Sequence, residues 1–111
     1  MHELSLSRAI GQIVVRAAAG RRVTRVEVDC GALRQVVPET LTRCWGLTVE
    51  GTPLAGAALV VNPIPAVVSC AVCRAETQLD WPVLRCGECA STDVTLLSGE
   101  EFLVRSIDVE T

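Results

Sequence analysis

Two groups of residues in this 111-residue chain have the types and spacing that metal chemistry requires. The first lies in SCAVCRAETQLDWPVLRCGECAST, where Cys70 and Cys73 are followed, after twelve residues, by Cys86 and Cys89. Each CxxC turn aims two thiolates at one point. Two such turns joined by a short hairpin close a tetrahedron around a soft divalent ion, for which zinc is the expected occupant. Four protein ligands leave no open position for water or substrate, so the pattern predicts a structural ion and argues against zinc hydrolysis. Iron is held by the same four thiolates and stays open at this level. A paired arrangement does not resemble the single CxxC of a redox dithiol, and disulfides are not expected in a chain without an export signal. Arg74 and Ala90 follow the second cysteine of each turn, where glycine would more readily supply a positive φ.

The second group is the opening MHE, which contains the only histidine of the chain. The amino group of Met1, the backbone nitrogen of His2 and the His2 imidazole can fill three adjacent corners of a square plane. The backbone nitrogen or the carboxylate of Glu3 can supply the fourth. Square-planar nitrogen coordination selects Ni(II) or Cu(II), and it requires an imidazole without its second proton. The chelate also requires that Met1 stay in place, which is expected before a residue as large as histidine. The same residue at a chain end is equally compatible with a solvated polar terminus. Acid–base catalysis is not indicated, because no serine, cysteine or carboxylate is arranged locally around His2 as a catalytic partner.

These groups need a scaffold. Leu6, Ala9, Ile10, Ile13, Val14 and Ala17 recur at helical spacing, and Gly20 offers a left-handed stop, which predicts a helix over 3–19. In RRVTRVEVDCG, Val26, Val28 and Cys30 alternate with Arg25, Glu27 and Asp29, the pattern of a half-buried strand. Pro38 suits the first turn of a second helix that carries Leu41, Cys44, Trp45 and Thr48 on one face and ends at Gly51. AALVVNPIP reads as a second strand that Pro63 and Pro65 lead out of the sheet, and EEFLVRSIDVE reads as a third. Cys30 and Cys44 fall on the buried faces of these elements as small packing residues. The expected architecture is α+β: a small mixed β-sheet covered by two helices, with an inserted zinc-ribbon-like four-cysteine subdomain. Residues 1–65 with 98–111 would form the α/β domain and 66–97 the insert. Val67, Val68, Trp81, Leu84 and Val94 are too few to hold the insert together without the ion.

Composition narrows the function. Half of the residues are hydrophobic, enough for a core, but there are only two Trp, one Phe and no Tyr. The formal charge is -3, and every cation is an arginine scattered along the chain. Neither a phosphate-neutralising surface nor a base-stacking platform is expected, so nucleic acid is not an expected partner. No targeting segment or membrane-spanning run is apparent, which gives the expectation of a cytoplasmic protein.

MHELSLS at the amino terminus, CxxC-x12-CxxC towards the other end, VEVDCGALRQVVPETL, EGTPLAGAAL and the closing SGEEFLVRSIDVE together resemble the HypA/HybF family of hydrogenase nickel-incorporation proteins, over essentially the whole chain. The resemblance implies a nickel metallochaperone, not an enzyme, that helps deliver Ni(II) to the large subunit of [NiFe] hydrogenase. It implies His2 as principal nickel ligand with Met1 and Glu3 auxiliary, and Cys70, Cys73, Cys86 and Cys89 as zinc ligands. It further implies a nickel-binding GTPase partner, HypB, and in some relatives a role with urease maturation proteins. No nucleotide-binding Gly-x-x-x-x-Gly-Lys run occurs here, so nucleotide hydrolysis would belong to that partner. Relatives with additional histidines near the cysteine box differ from this chain, which has none there. The competing reading from the residues alone is a zinc-ribbon adaptor that binds another protein and carries no nickel.

Overall fold

The computed structural model describes residues 2–80 and 83–110. Its elements are α1 (His2–Ala18), β1 (Val23–Gly31), a 3-10 turn (Ala32–Arg34), α2 (Pro38–Val49), β2 (Ala58–Ile64), β3 (Val67–Cys70), β4 (Glu76–Gln78), β5 (Val94–Ser98) and β6 (Phe102–Val109). They form two three-stranded sheets, β2-β1-β6 and β4-β3-β5. The α+β class expected from the sequence is the one found. No helix among the described residues is long and apolar enough to cross a membrane.

The chain divides into two compact units: 1–29, 36–62 and 103–111 in one, and 30–35 with 63–102 in the other. In the first, α1 and α2 pack together through Ile10, Val14, Leu41 and Trp45, all almost fully buried. β1 contributes Val23, Val26 and Val28 to the same core. The Trp45 indole N–H donates to the Ala57 carbonyl at 2.9 Å, so the one large aromatic of this core brings its polar atom in satisfied. α2 starts as Pro38 predicts, with proline in the first turn where its missing N–H is not needed.

The buried stripe of α1 differs from the apolar one read from the sequence. It consists of Glu3, Ser7, Ile10, Gly11, Val14 and Ala18, whereas Ala9, Ile13 and Ala17 are exposed. Glu3 and Ser7 are accommodated on the buried face because each has a partner inside. Ser7 Oγ donates to Thr48 Oγ1 at 3.0 Å across the helix pair, and the Glu3 carboxylate accepts the Val37 N–H at 3.2 Å.

In the second unit β3 pairs antiparallel with both β4 and β5, matching Val68 with Thr77 on one side and Leu96 on the other. This goes beyond the expected short hairpin. Pro63 does not end β2 but lies within it, which an edge strand tolerates because one row of its N–H groups faces no partner. Within the second unit the Pro65 carbonyl accepts Ser98 Oγ–H at 2.7 Å, and the Ala66 carbonyl accepts the Leu79 N–H at 2.8 Å. Leu84, expected to pack in the insert, is exposed, and Trp81 lies outside the described residues.

Candidate metal centres

Cys70 closes β3, and the residues after it make a tight turn in which the Arg74 N–H donates to the Cys70 carbonyl at 3.0 Å and the Cys70 N–H to the Ala75 carbonyl at 2.9 Å. Cys86 repeats the same geometry. The Ala90 N–H donates to the Cys86 carbonyl at 3.0 Å, and the Cys86 N–H to the Ser91 carbonyl at 2.9 Å. Both turns are completed by a left-handed residue, Arg74 at φ 65° and Ala90 at φ 61°. These are the two positions where the sequence lacks glycine. Side chains there cost roughly 1 kcal/mol or more in left-handed backbone. We therefore expect Arg74→Gly and Ala90→Gly each to raise stability by about 0.5 kcal/mol, net of the glycine's added unfolded-state entropy, readable as a higher unfolding midpoint of the metal-loaded protein.

The turns bring all four sulfurs within 4.8 Å of one another. Cys70 Sγ lies 3.6 Å from Cys89 Sγ, and Cys73 Sγ lies 3.5 Å from Cys86 Sγ. These separations exclude disulfides. They suit a tetrahedron with Zn–S bonds of about 2.3 Å, whose edges measure about 3.8 Å. The donor set therefore fits a closed thiolate site, and an ion bound there would cross-link β3 to the second turn. Cys70 and Cys86 are buried, Cys73 and Cys89 exposed.

The backbone prepares the leading cysteine of each pair to be a thiolate. Cys70 Sγ accepts the N–H groups of Cys73 and Val72 at 3.5 and 3.4 Å, and the Cys73 N–H contributes most to lowering its pKa. The Cys89 and Glu88 N–H groups act likewise on Cys86, bringing it down to about 6. For Cys73 the Ala75 N–H works downwards, but the neighbouring Cys86 sulfur, partial desolvation and the Cys89 and Cys70 sulfurs outweigh it and push the thiol up to about 12. Without a cation the cluster does not ionise fully. A divalent cation supplies the missing charge and displaces the remaining protons.

Cys30 and Cys44 lie outside this cluster. Cys30 is buried, which raises its pKa, and Cys44 is half-buried, as expected for packing residues.

At the amino terminus α1 begins at His2, whose side chain is 52% exposed. The structure thus places His2 in the first turn of a helix rather than on a loose tail. Met1 lies outside the described residues. Glu3 is buried, its Oε2 accepting the Val37 N–H and lying 3.4 Å from His2 Nε2. The Val37 N–H, then Glu3's own N–H, hold the carboxyl below the usual carboxylate range despite partial desolvation. Since the folded-state pKa is depressed, this contribution is complete above the unfolded-state value and is lost as pH falls through the folded one. Glu3→Gln should lower stability at neutral pH and flatten its acid dependence, measured as unfolding midpoints between about pH 3 and pH 7. Sequence reading took Glu3 only as a metal donor; the anchoring role has no local signal, because Val37 is far away along the chain.

A family model described as hydrogenase/urease nickel incorporation, metallochaperone, hypA matches residues 1–109. The hydrogenase maturation factor HypA of Chlorobium limicola is 37% identical over 113 residues, covering 99% of this chain and 97% of that one. That of Geotalea uraniireducens is 36% identical over 110 residues, covering 99% and 100%. Among solved structures, the nickel metallochaperone HypA of Helicobacter pylori superposes with a TM-score of 0.66 at 17% identity, covering 96% of each chain. A second HypA solution structure gives 0.60, covering 96% and 92%. With a family match along nearly its whole length and relatives above 30% identity across the same span, the chain belongs to the HypA family of hydrogenase/urease nickel-incorporation metallochaperones.

Proposed function

We propose that the chain binds Ni(II) at its Met1-His2-Glu3 motif and helps insert it into [NiFe] hydrogenase, while Cys70, Cys73, Cys86 and Cys89 hold a structural zinc ion. The observation that carries this reading is the half-exposed His2 imidazole in the first turn of α1. N–H groups in the first turn have no acceptor within the helix, so recruiting the His2 main-chain nitrogen breaks no helical hydrogen bond. His2 is the principal ligand through its imidazole and its amide. Met1 contributes its amino group, and Glu3 its main-chain nitrogen, since its carboxylate is engaged with Val37. The site is shallow and reached from solvent, which suits a cargo that must leave. The thiolate cage is closed and suits an ion that stays.

The proposed partners are the GTPase HypB, the [NiFe] hydrogenase large subunit as client and, where urease is the client, its maturation proteins; the proposed compartment is the cytoplasm. Incorporation of radioactive nickel into the large subunit in cells carrying His2→Ala tests the reading. Incorporation at least about tenfold below wild type, with the variant equally abundant, supports it. Unchanged incorporation at limiting nickel overturns it and favours the zinc adaptor.

A further inference from the structure

A groove of about 650 Å³ in the first unit lies between α1 and the end of α2, with Thr52 and Leu54 also lining it. Val15, Val49 and Leu54 give it an apolar surface, beside the polar Gln12, Thr48 and Thr52. Arg8 and Arg16 line it from the same helix, eight residues or about 12 Å apart along the axis. No carboxylate lines it, and neither guanidinium has a hydrogen-bond or ion-pair partner among the described residues. Arg21, Arg22, Arg25, Arg34 and Arg105 are engaged by carbonyls or carboxylates, whereas Arg43, Arg74 and Arg85 resemble these two in lacking a side-chain partner among the described residues but line no groove with them. An overall acidic chain therefore presents an apolar trough flanked by two uncommitted positive charges.

Gly11 supplies an independent observation. It is buried within α1, where glycine costs about 1 kcal/mol relative to alanine. Helix packing does not require it, because a Cβ there would meet only Thr48 Cγ2 at 3.9 Å, an ordinary contact. Gly11 lines the groove, and what its missing side chain provides is room in that trough.

We infer that this groove docks a peptide segment of a partner protein in which carboxylates flank a short apolar core. The apolar core lies over Val15 and Leu54, and the carboxylates meet Arg8 and Arg16. The inference does not depend on nickel binding. The aliphatic carbon of Val15, Val49 and Leu54 favours such a peptide segment over a purely phosphate-bearing ligand, although Gln12, Thr48 and Thr52 add polar groups to the lining.

The test uses the full-length, zinc-loaded, nitrogen-15-labelled protein and two synthetic peptides, each with a Leu-Val core, flanked by glutamates in one and by lysines in the other. The glutamate peptide is expected to shift amide resonances of α1 and α2 around the groove, and the lysine peptide to leave them unmoved. Arg8→Glu with Arg16→Glu should weaken binding at least about tenfold, the equivalent of about 1.4 kcal/mol. Gly11→Ala should raise the unfolding midpoint yet weaken binding several-fold. Gly46→Ala, an exposed position of α2 outside the groove, should raise the midpoint and leave binding unchanged. Equal response to both peptides, no response to either, a response to inorganic phosphate or anionic vesicles instead, or self-association through the same residues would each overturn the proposal.

Discussion

Removing the ion from the thiolate cage, or replacing Cys86 with serine, is expected to unfold the second unit while leaving α1 and α2 helical. Among the described residues of that unit, those that are buried and hydrophobic are few: Ala66, Val68 and the cysteines Cys30, Cys70 and Cys86, which include two of the proposed ligands. β4 has only three residues and β5 five, too little sheet to persist alone. A structural zinc ion contributes on the order of 10 kcal/mol of apparent folding free energy in small domains, more than these contacts can replace. Amide spectra of chelator-treated protein should therefore collapse for residues 63–98 and remain dispersed for 2–29 and 36–62. Cys86→Ser should do the same even with zinc in excess. It removes a buried proposed ligand whose Sγ accepts the Glu88 N–H at 3.4 Å, and a serine hydroxyl is a poor partner for a soft ion. A second unit that stays folded after metal removal would contradict a structural role for the site.

Gly31→Ala is expected to cost about 3 kcal/mol or more. Gly31 has an ordinary extended backbone, φ -71° and ψ 145°, so the penalty is not conformational. A Cβ there would overlap the carbonyl carbon and oxygen of Gly99 and lie 2.7 Å from the Glu100 nitrogen. All three are backbone atoms and cannot rotate aside. The segment is also fixed from both directions, since the Gly31 N–H donates to the Glu101 carbonyl at 2.6 Å and the Leu33 N–H to the Gly99 carbonyl at 2.9 Å. Gly99 is held in turn at φ 118°, with a Cβ forbidden by the Ala66 backbone. Chemical unfolding of metal-loaded Gly31→Ala checks this; a loss below about 1 kcal/mol would show that the three segments yield more easily than their geometry implies.

What could be read in the sequence followed from how local each signal is. The cysteine cluster was legible because ligand spacing within a turn is a local property, and the two turns superimpose the same hydrogen bonds on both CxxC pairs. The second helix was legible for a similar reason, with Pro38 at its start and Leu41 and Trp45 on its buried face. The first helix was found but its buried face was misread. Glu3 and Ser7 are buried only because Val37 and Thr48, remote in the sequence, supply their partners. Pro63 reads as the end of a strand because sequence does not say that β2 is an edge. The groove lined by Arg8 and Arg16 had no signal at all: two arginines on an exposed helical face look like solvation until the neighbouring helix forms the opposite wall.

The measurement that tests the account most directly is calorimetric titration of nickel into the zinc-loaded chain beginning at Met1, beside electronic spectra of the product, for wild type, His2→Ala and a variant with one additional residue ahead of Met1. About one equivalent bound with a square-planar spectrum is expected in wild type, and loss of that spectrum in both variants, because one lacks the imidazole and the other moves the amino group out of the chelate. Equal binding by all three proteins, or none by wild type, would contradict a nickel site at His2.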